Sequence, residues 1–308
     1  MTVQEKSGPA ALCAKGVCKS YGTNQVLKEL DLTIRPGCIY GLIGRNGAGK
    51  TTLLGILTGQ NTMDKGQVTY GGAPVWENRD VLRQICFSRE LNAMGLTGQN
   101  ALKVRDYLRA ASIFYPGWDK EYAARLLAKF GLEEKKAVAK LSKGQMSMVT
   151  ILIALASGAP VTILDEPVAG LDVVAREDFY RLLLEDYGKT GRTFVISTHI
   201  IEEAAQVFER VLILDGGVIR EDAPTEELVD QFRYVSGPQD AVDAALAAQG
   251  ASALAVQTLG RHKMAAVRGD EALFAALAAR PELDVAPMNL QNVFVALCGH
   301  EAAGEEGK

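Results

Sequence analysis

The sequence predicts an α/β fold: a mixed sheet with antiparallel edge strands and a helical insert, followed by a small α+β domain. Three observations support this prediction. Short apolar runs alternate with segments of helical periodicity through the first part of the chain. A glycine-rich loop joins one of these runs to the helix that follows it. Near residue 232 the composition changes to alanine-rich segments joined by tight turns.

The composition is that of a globular protein. The chain has 308 residues, of which 48% are hydrophobic and 23% are charged, and this is enough to build a core. The net charge is −4, and the sequence contains no basic tract of clustered lysine and arginine residues. A nucleic-acid partner is therefore not expected. No uninterrupted apolar run reaches the length of about 18 residues that a membrane-spanning helix needs. The five cysteines are scattered, which is typical of reduced thiols in the cytoplasm.

A first domain is predicted over residues 11–232, after a flexible tail over 1–10. Apolar or loosely alternating runs indicate its strands, and apolar residues at helical spacing indicate its helices. Antiparallel strands are predicted within 11–34, and further strands over 38–43, 66–70, 85–88, 161–164, 193–197, 210–214 and 218–221. Helices are predicted over 51–57, 173–186, 201–208 and 225–232, and a helical insert over about 98–158. Thr225 is the expected cap of the last helix.

The segment 233–299 is predicted to form a small accessory domain. Its order of strand, helix, two strands, helix and strand, with a terminal helix, matches the split βαβ, ferredoxin-like arrangement. Strands are predicted over 233–235, 254–259, 263–267 and 283–286, and helices over 239–248, 271–279 and 290–297. The alternative is a loose helical tail, because alanine-rich helices are recognised more safely than short strands. Residues 300–308 are predicted to be a flexible tail.

The loop Gly44-Arg45-Asn46-Gly47-Ala48-Gly49-Lys50-Thr51-Thr52 has the full G-x-x-x-x-G-K-[ST] spacing between a strand and a helix. Its glycines let backbone N–H groups converge on phosphate oxygens, and the helix start adds partial positive charge. Lys50 is expected to reach the β- and γ-phosphates of a nucleoside triphosphate, and Thr51 to complete a magnesium shell. We therefore assign all nine residues to nucleotide binding. The alternative is a glycine-rich turn that binds nothing.

Two carboxylates, Asp165 and Glu166, follow the apolar strand 161–164. Ligands of open α/β sheets bind at the carboxyl ends of the strands. Hydrolysis of a phosphoanhydride needs a metal held by oxygen ligands and a group that positions water. Asp165 is therefore predicted to bind magnesium together with Thr51, and Glu166 to act as the general base. Without the glycine loop, the same two residues would be interpreted as exposed turn carboxylates.

Two further side chains are candidates with a structural alternative. Tyr21 stands in the turn between the first two strands, ahead of the glycine loop, and is predicted to stack on the base of the nucleotide. Alternatively, it packs on its own hairpin. His199 follows the strand 193–197, where it is either a functional or a structural histidine.

Five motifs in this order closely resemble the ATP-binding subunit of ABC transporters. They are the glycine loop, Leu141-Ser142-Lys143-Gly144-Gln145, Ile163-Leu164-Asp165-Glu166-Pro167, Ala169-Gly170-Leu171-Asp172 and Ser197-Thr198-His199. The resemblance covers about residues 11–232 and implies an ATPase that uses ATP and Mg²⁺. It also implies a homodimer or heterodimer of ATPase subunits, integral membrane permease subunits as partners and a peripheral position at the cytoplasmic face of the cell membrane.

The resemblance also assigns roles to individual residues. It implies that Ser142, Gly144 and Gln145 form the signature loop, which engages ATP bound to the opposite protomer. Asp172 would lie at the same interface. Lys143 replaces a glycine of the family pattern, so a side chain is added here, which is tolerated if it points to solvent.

Two more roles follow from the resemblance. His199 would be the switch histidine that contacts the γ-phosphate, and Tyr21 would stack on adenine. Glu90 stands where the family usually has a glutamine. We assign Glu90 to metal binding, although a carboxylate in place of an amide is a departure from the family.

The stretch Phe114-Tyr115-Pro116-Gly117-Trp118-Asp119 is similar to bacterial exporter ATPases whose permeases are separate chains, so export is predicted. Alternatively, these aromatic residues anchor the helical insert to the core. A rival function is an importer ATPase with a C-terminal regulatory domain. Another is a non-transport ABC protein acting on ribosomes or DNA, which the single glycine loop, the missing heptads and the acidic charge disfavour.

Overall fold

The computed structural model describes residues 10–89, 91 and 102–299, and the chain packs as two units. The first unit contains the described residues up to His199 together with Leu214–Arg220. The second contains Ile200–Ile213 and the described residues from Glu221 onward. The domain boundary near residue 232 stays a prediction. Glu90 and, apart from Ala10, both predicted tails lie outside the described residues.

The first unit is built on a parallel sheet. Its elements are β1 (Leu12–Tyr21), β2 (Asn24–Ile34), β3 (Ile39–Ile43), α1 (Lys50–Leu57), β4 (Lys65–Tyr70), β5 (Ala73–Pro74), α2 (Arg79–Leu82), β6 (Ile85–Ser88), α3 (Val104–Phe114), α4 (Lys120–Lys129), α5 (Lys143–Ala156), β7 (Val161–Asp165), α6 (Val173–Thr190) and β8 (Thr193–Ser197). Strands β3, β8, β7 and β6 lie side by side in that order and are parallel. Their residues are almost all buried, as expected for a parallel sheet covered on both faces. The predicted strands are confirmed.

An antiparallel sheet with the order β2-β1-β4-β5 accompanies the parallel one. The hairpin of β1 and β2 pairs from Leu12 opposite Ile34 to Tyr21 opposite Asn24. Gly22 has a φ of 61° in its turn, a conformation that glycine adopts without strain. The antiparallel strands predicted from the alternating residues are therefore present, and they pair with one another.

The helical insert consists of α3, α4 and α5. Asp119 caps α4 by accepting a hydrogen bond from the N–H of Tyr122 at 2.8 Å. Ser142 caps α5, and its side chain and that of Gln145 each bind the other residue's N–H at 3.2 Å. This capping box fixes where α5 begins. The helices of the predicted insert are confirmed within the described residues, which resume at Leu102.

The second unit contains a complete ferredoxin-like sheet. Its elements are α7 (Ile201–Ala204), β9 (Arg210–Asp215), β10 (Val218–Pro224), α8 (Thr225–Asp230), β11 (Phe232–Pro238), α9 (Gln239–Ala248), β12 (Ala253–Leu259), β13 (His262–Arg268), α10 (Glu271–Ala278), β14 (Asp284–Pro287) and α11 (Leu290–Cys298); β9 and β10 cross the boundary between the units. The antiparallel order is β12-β13-β11-β14. Residues of α9 and α10 share a buried cluster with the sheet. The predicted ferredoxin-like order is confirmed, and the loose helical tail is wrong.

Three details of the second unit differ from the prediction. The helix predicted over 201–208 is α-helical only in α7 and continues as a 3₁₀ turn over Ala205–Val207. Helix α8 ends at Asp230, because Phe232 already pairs in β11. Thr225 is not the cap, because Pro224 holds that position and the Thr225 hydroxyl is buried without a hydrogen-bond partner. Among residues 10–89, 91 and 102–299, none of the helices has the length and hydropathy that a membrane-spanning segment requires.

Candidate functional site

The carboxyl ends of three neighbouring strands bring the candidate site together. Leu42 of β3 lies opposite Ser197 of β8, and Ser197 lies opposite Asp165 of β7. The glycine loop follows β3, His199 follows β8, and Glu166 follows β7. Because these strands are parallel, the three segments meet at the edge where α/β sheets bind ligands.

The glycine loop passes too close to its neighbours to carry side chains at every position. A Cβ atom at Gly44 would lie 2.5 Å from the carbonyl oxygen of Leu214. Gly47 and Gly49 have φ angles of 82° and 104°, which favour glycine over residues with a Cβ atom. Helix α1 begins directly after Gly49, and the free N–H groups of a helix N-terminus favour an anion placed there.

Lys50 lies inside this loop. The residue is 8% exposed, and its Nζ donates to the carbonyl oxygens of Gly44 at 2.6 Å and Arg45 at 3.3 Å. Burial lowers the pKa of the Lys50 ammonium, whereas the carboxylates of Glu166 and Asp165 act in the opposite direction. One cation and two carboxylates therefore share this site, as the glycine loop and the strand end predict.

Asp165 is held by Ser197, a residue for which the sequence alone predicts no separate role. Its Oδ1 accepts a hydrogen bond from the hydroxyl of Ser197, and both residues are buried. Ser197 was predicted only as part of a motif. The signal that identifies it is a hydroxyl residue that ends an apolar strand next to a strand ending in aspartate. This hydrogen bond orients the Asp165 carboxylate at the sheet edge.

Glu166 and His199 are in direct contact. His199 Nδ1 lies 2.7 Å from Glu166 Oε2, and the backbone N–H of His199 donates to the same oxygen at 3.4 Å. Glu166 has a φ of 51°, a left-handed conformation that is uncommon for glutamate and is found at functional sites. Its N–H donates to the carbonyl oxygen of Ser197 at 3.0 Å. The two predicted residues are thus brought together, and their catalytic roles stay predictions.

The donor set at the loop suits magnesium. Thr51 is exposed in the first turn of α1, and Asp165 is buried at the end of β7. Hydroxyl, carboxylate and phosphate oxygens are the ligands that Mg²⁺ prefers. No group of three or more His, Cys, Asp or Glu side chains that could hold a metal occurs among the described residues. The ion would therefore be held by Asp165, Thr51 and the nucleotide, and the assignment of Glu90, outside the described residues, stays a prediction.

Tyr21 keeps both of its interpretations. Its side chain is 52% exposed, and the Lys19 ammonium lies 5.3 Å from the centre of its ring. The exposed ring has room to stack on a base, while the contact with Lys19 belongs to its own hairpin.

The signature residues pack on the loop that precedes Asp172. A Cβ atom at Gly144 would lie 2.7 Å from the carbonyl oxygen of Gly170, so only glycine fits without a shift. The aliphatic part of the exposed Lys143 side chain packs against Gly170, because a Cβ atom at Gly170 would lie 2.8 Å from Lys143 Cγ. The departure from glycine at Lys143 therefore adds a contact within the chain. The predicted role of Ser142, Gly144 and Gln145 at ATP concerns a second protomer.

Gly44→Ala is expected to weaken ATP binding and to lower the free energy of unfolding by about 1 to 3 kcal/mol, because the added methyl group meets a backbone carbonyl. Chemical denaturation and nucleotide titration measure the two effects. Gly188→Ala is the matched control. Gly188 lies exposed in α6 with open space around it, so that variant should be more stable by about 0.5 to 1 kcal/mol and should bind ATP normally. Normal ATP binding by Gly44→Ala would contradict the close approach of the loop.

Known protein sequences resemble this chain. The sequence model of the family described as "ABC transporter" matches residues 27–169. The ABC transporter ATP-binding protein YtrB of Bacillus subtilis is 28% identical over 214 residues, 70% of this chain and 72% of that protein. The methionine import ATP-binding protein MetN of Clostridium acetobutylicum is 35% identical over 223 residues, 70% of this chain and 69% of that protein. The aliphatic sulfonates import ATP-binding protein SsuB 2 of Pseudomonas aeruginosa is 30% identical, covering 70% of this chain and 76% of that protein.

Solved structures resemble the chain as well. An ATP-binding subunit of an ABC transporter has a TM-score of 0.62 and 26% identity, covering 70% of this chain and 91% of that chain. A dimeric ATP-binding cassette in a post-hydrolysis state, bound to ADP and Pi, has a TM-score of 0.59 and 23% identity, over 69% of this chain and 98% of that chain. At that identity the second likeness concerns the fold alone.

Proposed function

Because this chain belongs to the ABC transporter family of ATP-binding proteins, we propose that its ATPase activity drives a membrane permease formed by separate chains. One observation carries the proposal: Lys50, the Asp165–Ser197 pair and the Glu166–His199 pair meet at the carboxyl ends of three adjacent strands. This arrangement offers a cation for the phosphates, a carboxylate for magnesium and a carboxylate for water. Those are the parts that phosphoryl transfer to water needs.

The proposed roles of the residues combine their positions with the family resemblance. The glycine-loop N–H groups and Lys50 bind the β- and γ-phosphates. When bound, magnesium supplies charge neutralisation at the phosphates, held by Asp165 and Thr51. Glu166 accepts a proton from the attacking water. His199 holds the Glu166 carboxylate, which it contacts at 2.7 Å, and reaches the γ-phosphate.

We further propose that two ATPase subunits share each ATP site. Ser142, Gly144 and Gln145 of one subunit would bind the ATP that the glycine loop of the other subunit holds. This proposal rests on the family resemblance and on the seating of the signature helix α5 against the 169–170 loop. The two subunits are either identical or related chains. They would act peripherally at the cytoplasmic face of the membrane, next to the permease.

Export is the proposed direction of transport. The proposal rests on the similarity of the stretch 114–119 to exporter ATPases. Within this stretch the rings of Phe114 and Tyr115 pack edge to face, with 5.0 Å between their centres. Import is the second candidate, because two of the relatives are named as import ATP-binding proteins. The C-terminal ferredoxin-like sheet would then be a regulatory domain.

The function is tested by expressing the chain with candidate permeases and measuring ATPase activity in membrane vesicles that expose the chain on their outer face. Transport of a labelled solute into the vesicles supports export, and release from them supports import. Lys50→Ala should abolish the ATPase activity and, with it, the transport of the solute. Stimulation of the ATPase by ribosomes or DNA, without any permease, would contradict the proposal and favour the non-transport alternative.

We propose that residues 233–299 form an accessory module that ATP binding does not require. The glycine loop, Asp165, Ser197 and His199 all belong to the first unit. A chain cut after Phe232 is therefore expected to bind ATP within about twofold of the full chain, because the module has a buried core of its own and domains with their own cores fold independently. A chain cut after Gly299 is the control. Loss of nucleotide binding in the shorter chain alone would show that the module belongs to the main core.

A further inference from the structure

The C-terminal end of α5 is held by a side chain from a distant part of the sequence. A helix end leaves its last four carbonyl groups without intrahelical partners. Two of these groups accept hydrogen bonds from Arg192: Nη2 lies 2.8 Å from Leu155 O, and Nη1 lies 3.4 Å from Ala154 O. Nη1 also lies 3.3 to 3.5 Å from Ser157 Oγ, Ala159 O and Thr162 Oγ1.

The same guanidinium is tied to α6. Its Nε lies 2.9 Å from Asp186 Oδ1, and its Nη2 lies 2.6 Å from Asp186 Oδ2. The side chains of Arg192 and Asp186 are only 5% and 4% exposed. The centre of the Phe194 ring lies 4.8 Å from the guanidinium carbon of Arg192. A planar guanidinium with five donors is suited to bind two groups in fixed directions. Arg192 therefore joins the ends of α5 and α6.

The N-terminal end of α5 is joined to the start of α6. Ser147 donates its hydroxyl hydrogen to the carbonyl oxygen of Ala169 at 2.7 Å, and Gly144 lies too close to Gly170 for a side chain. Helix α6 begins three residues after Gly170, and Asp172, directly before it, caps it by accepting a hydrogen bond from the N–H of Ala175 at 2.9 Å. The signature helix is thus held at both ends by the segment that runs from Ala169 to Arg192.

We propose that Arg192 is a positioning residue for the signature motif: it fixes α5 against α6 so that Ser142 meets the ATP held by the partner subunit. The inference rests on the proposed sharing of each site. Arg192 itself touches no nucleotide and acts through α5. With 14 residues, α5 is about 20 Å long, so a tilt of roughly 3° at Arg192 displaces Ser142 by about 1 Å. A misplacement of that size is enough to slow a reaction by about 100-fold.

The test uses tethered dimers that keep one intact shared site. One chain, called the signature donor, carries Lys50→Ala and supplies Ser142 to the intact site. The other, called the loop donor, carries Ser142→Arg and supplies Lys50 and Glu166. Arg192→Lys is placed in either chain, because lysine keeps the charge beside Asp186 but lacks the fork that reaches α5.

The proposal predicts that the placement decides the effect. Arg192→Lys in the signature donor is expected to lower the maximal ATP turnover about 10- to 100-fold, with ATP binding to the loop donor unchanged. In the loop donor it should lower turnover less than about twofold. Arg181→Lys is the matched control, because Arg181 binds only Asp178 and Glu185 of α6 in its described contacts. That control should turn over normally in either placement.

Equal losses in both placements would overturn the proposal, because a merely destabilised chain harms whichever half it supplies. If Arg192→Lys fails to fold, Arg192→Met with Asp186→Leu replaces it and should show the same dependence on placement. If the parent dimer binds ATP without turning it over, all chains also carry Glu166→Gln, and trapped ATP per dimer is compared for the two placements. A parent dimer that fails in both measurements would overturn the shared site itself, and the positioning role with it.

Discussion

Glu166→Gln is expected to lower ATP turnover by about 10²- to 10⁴-fold while leaving ATP binding intact, because glutamine keeps the shape of glutamate but cannot accept the proton of the attacking water. The Glu166 side chain contacts His199. The Glu166 backbone has a left-handed conformation directly after β7. Lys50 and Asp165, which bind the phosphates and the metal in our account, are unchanged. ATP-bound dimers should therefore accumulate, and steady-state kinetics with size-exclusion chromatography measure both effects.

Glu77→Gln is the matched control for that experiment. Glu77 is an exposed glutamate with a φ of 53°, so the same atoms change in the same backbone conformation, away from the strand ends. This variant should turn over normally. Near-normal turnover of Glu166→Gln would remove Glu166 from the role of general base, and loss of ATP binding would indicate that its carboxylate is structural.

Asp186→Leu is expected to lower the free energy of unfolding by about 3 to 5 kcal/mol, because it leaves the buried Arg192 guanidinium without its counter-ion. Replacing both partners, as Asp186→Leu with Arg192→Met, removes the buried charge. The double variant should regain part of the loss. It should remain about 1 to 3 kcal/mol less stable than the wild type, because the buried carbonyl group of Leu155 loses the hydrogen bond from Arg192. Chemical denaturation of the four chains completes this double-mutant cycle.

An ion pair near the protein surface serves as the comparison for the buried pair of Arg192 and Asp186. Arg181 and Asp178 form a hydrogen-bonded pair on α6, but both side chains are partly exposed, so solvent screens their attraction. Asp178→Asn should therefore change the unfolding midpoint little. If Asp186→Leu were as mild as Asp178→Asn, the Arg192 cluster would not hold α5 and α6 together.

Local patterns were enough to predict most of the fold and the glycine loop. The strand 193–197 contains the apolar run 194–196, and helix 239–248 begins directly after Pro238, the last residue of β11; both have the predicted bounds in the structure. The loop spacing around Lys50 places a lysine beside phosphates whenever a strand precedes it and a helix follows. These features depend on residues that are close together in the sequence.

Features that depend on strand order were not predictable in the same way. Ser197 reaches Asp165 only because β8 lies beside β7, and local periodicity says nothing about neighbouring strands. Arg192 follows a turn glycine, where a charged residue is usually exposed, yet it is buried among groups from α5 and α6. Thr225 does not cap α8 because it is already the first residue of the helix, and Pro224 occupies the cap position.

Two tethered dimers can decide whether a second subunit completes each ATP site. In the first, one chain carries Lys50→Ala and the other carries Ser142→Arg. One shared site then loses both halves, and the other keeps Lys50 from one chain and Ser142 from the other. In the second dimer, one chain carries both substitutions and the other is wild type, so each site has one altered half.

The ATPase activity of these two dimers, measured with the permease present, is the decisive quantity. Both contain the same two substitutions, so differences in composition or stability cannot separate them. With shared sites, the first dimer is expected to retain a substantial part of the wild-type turnover, about half if the sites act independently, and the second is expected to be nearly inactive. If the second dimer is as active as the first, or more active, each chain completes its own site and the account is wrong.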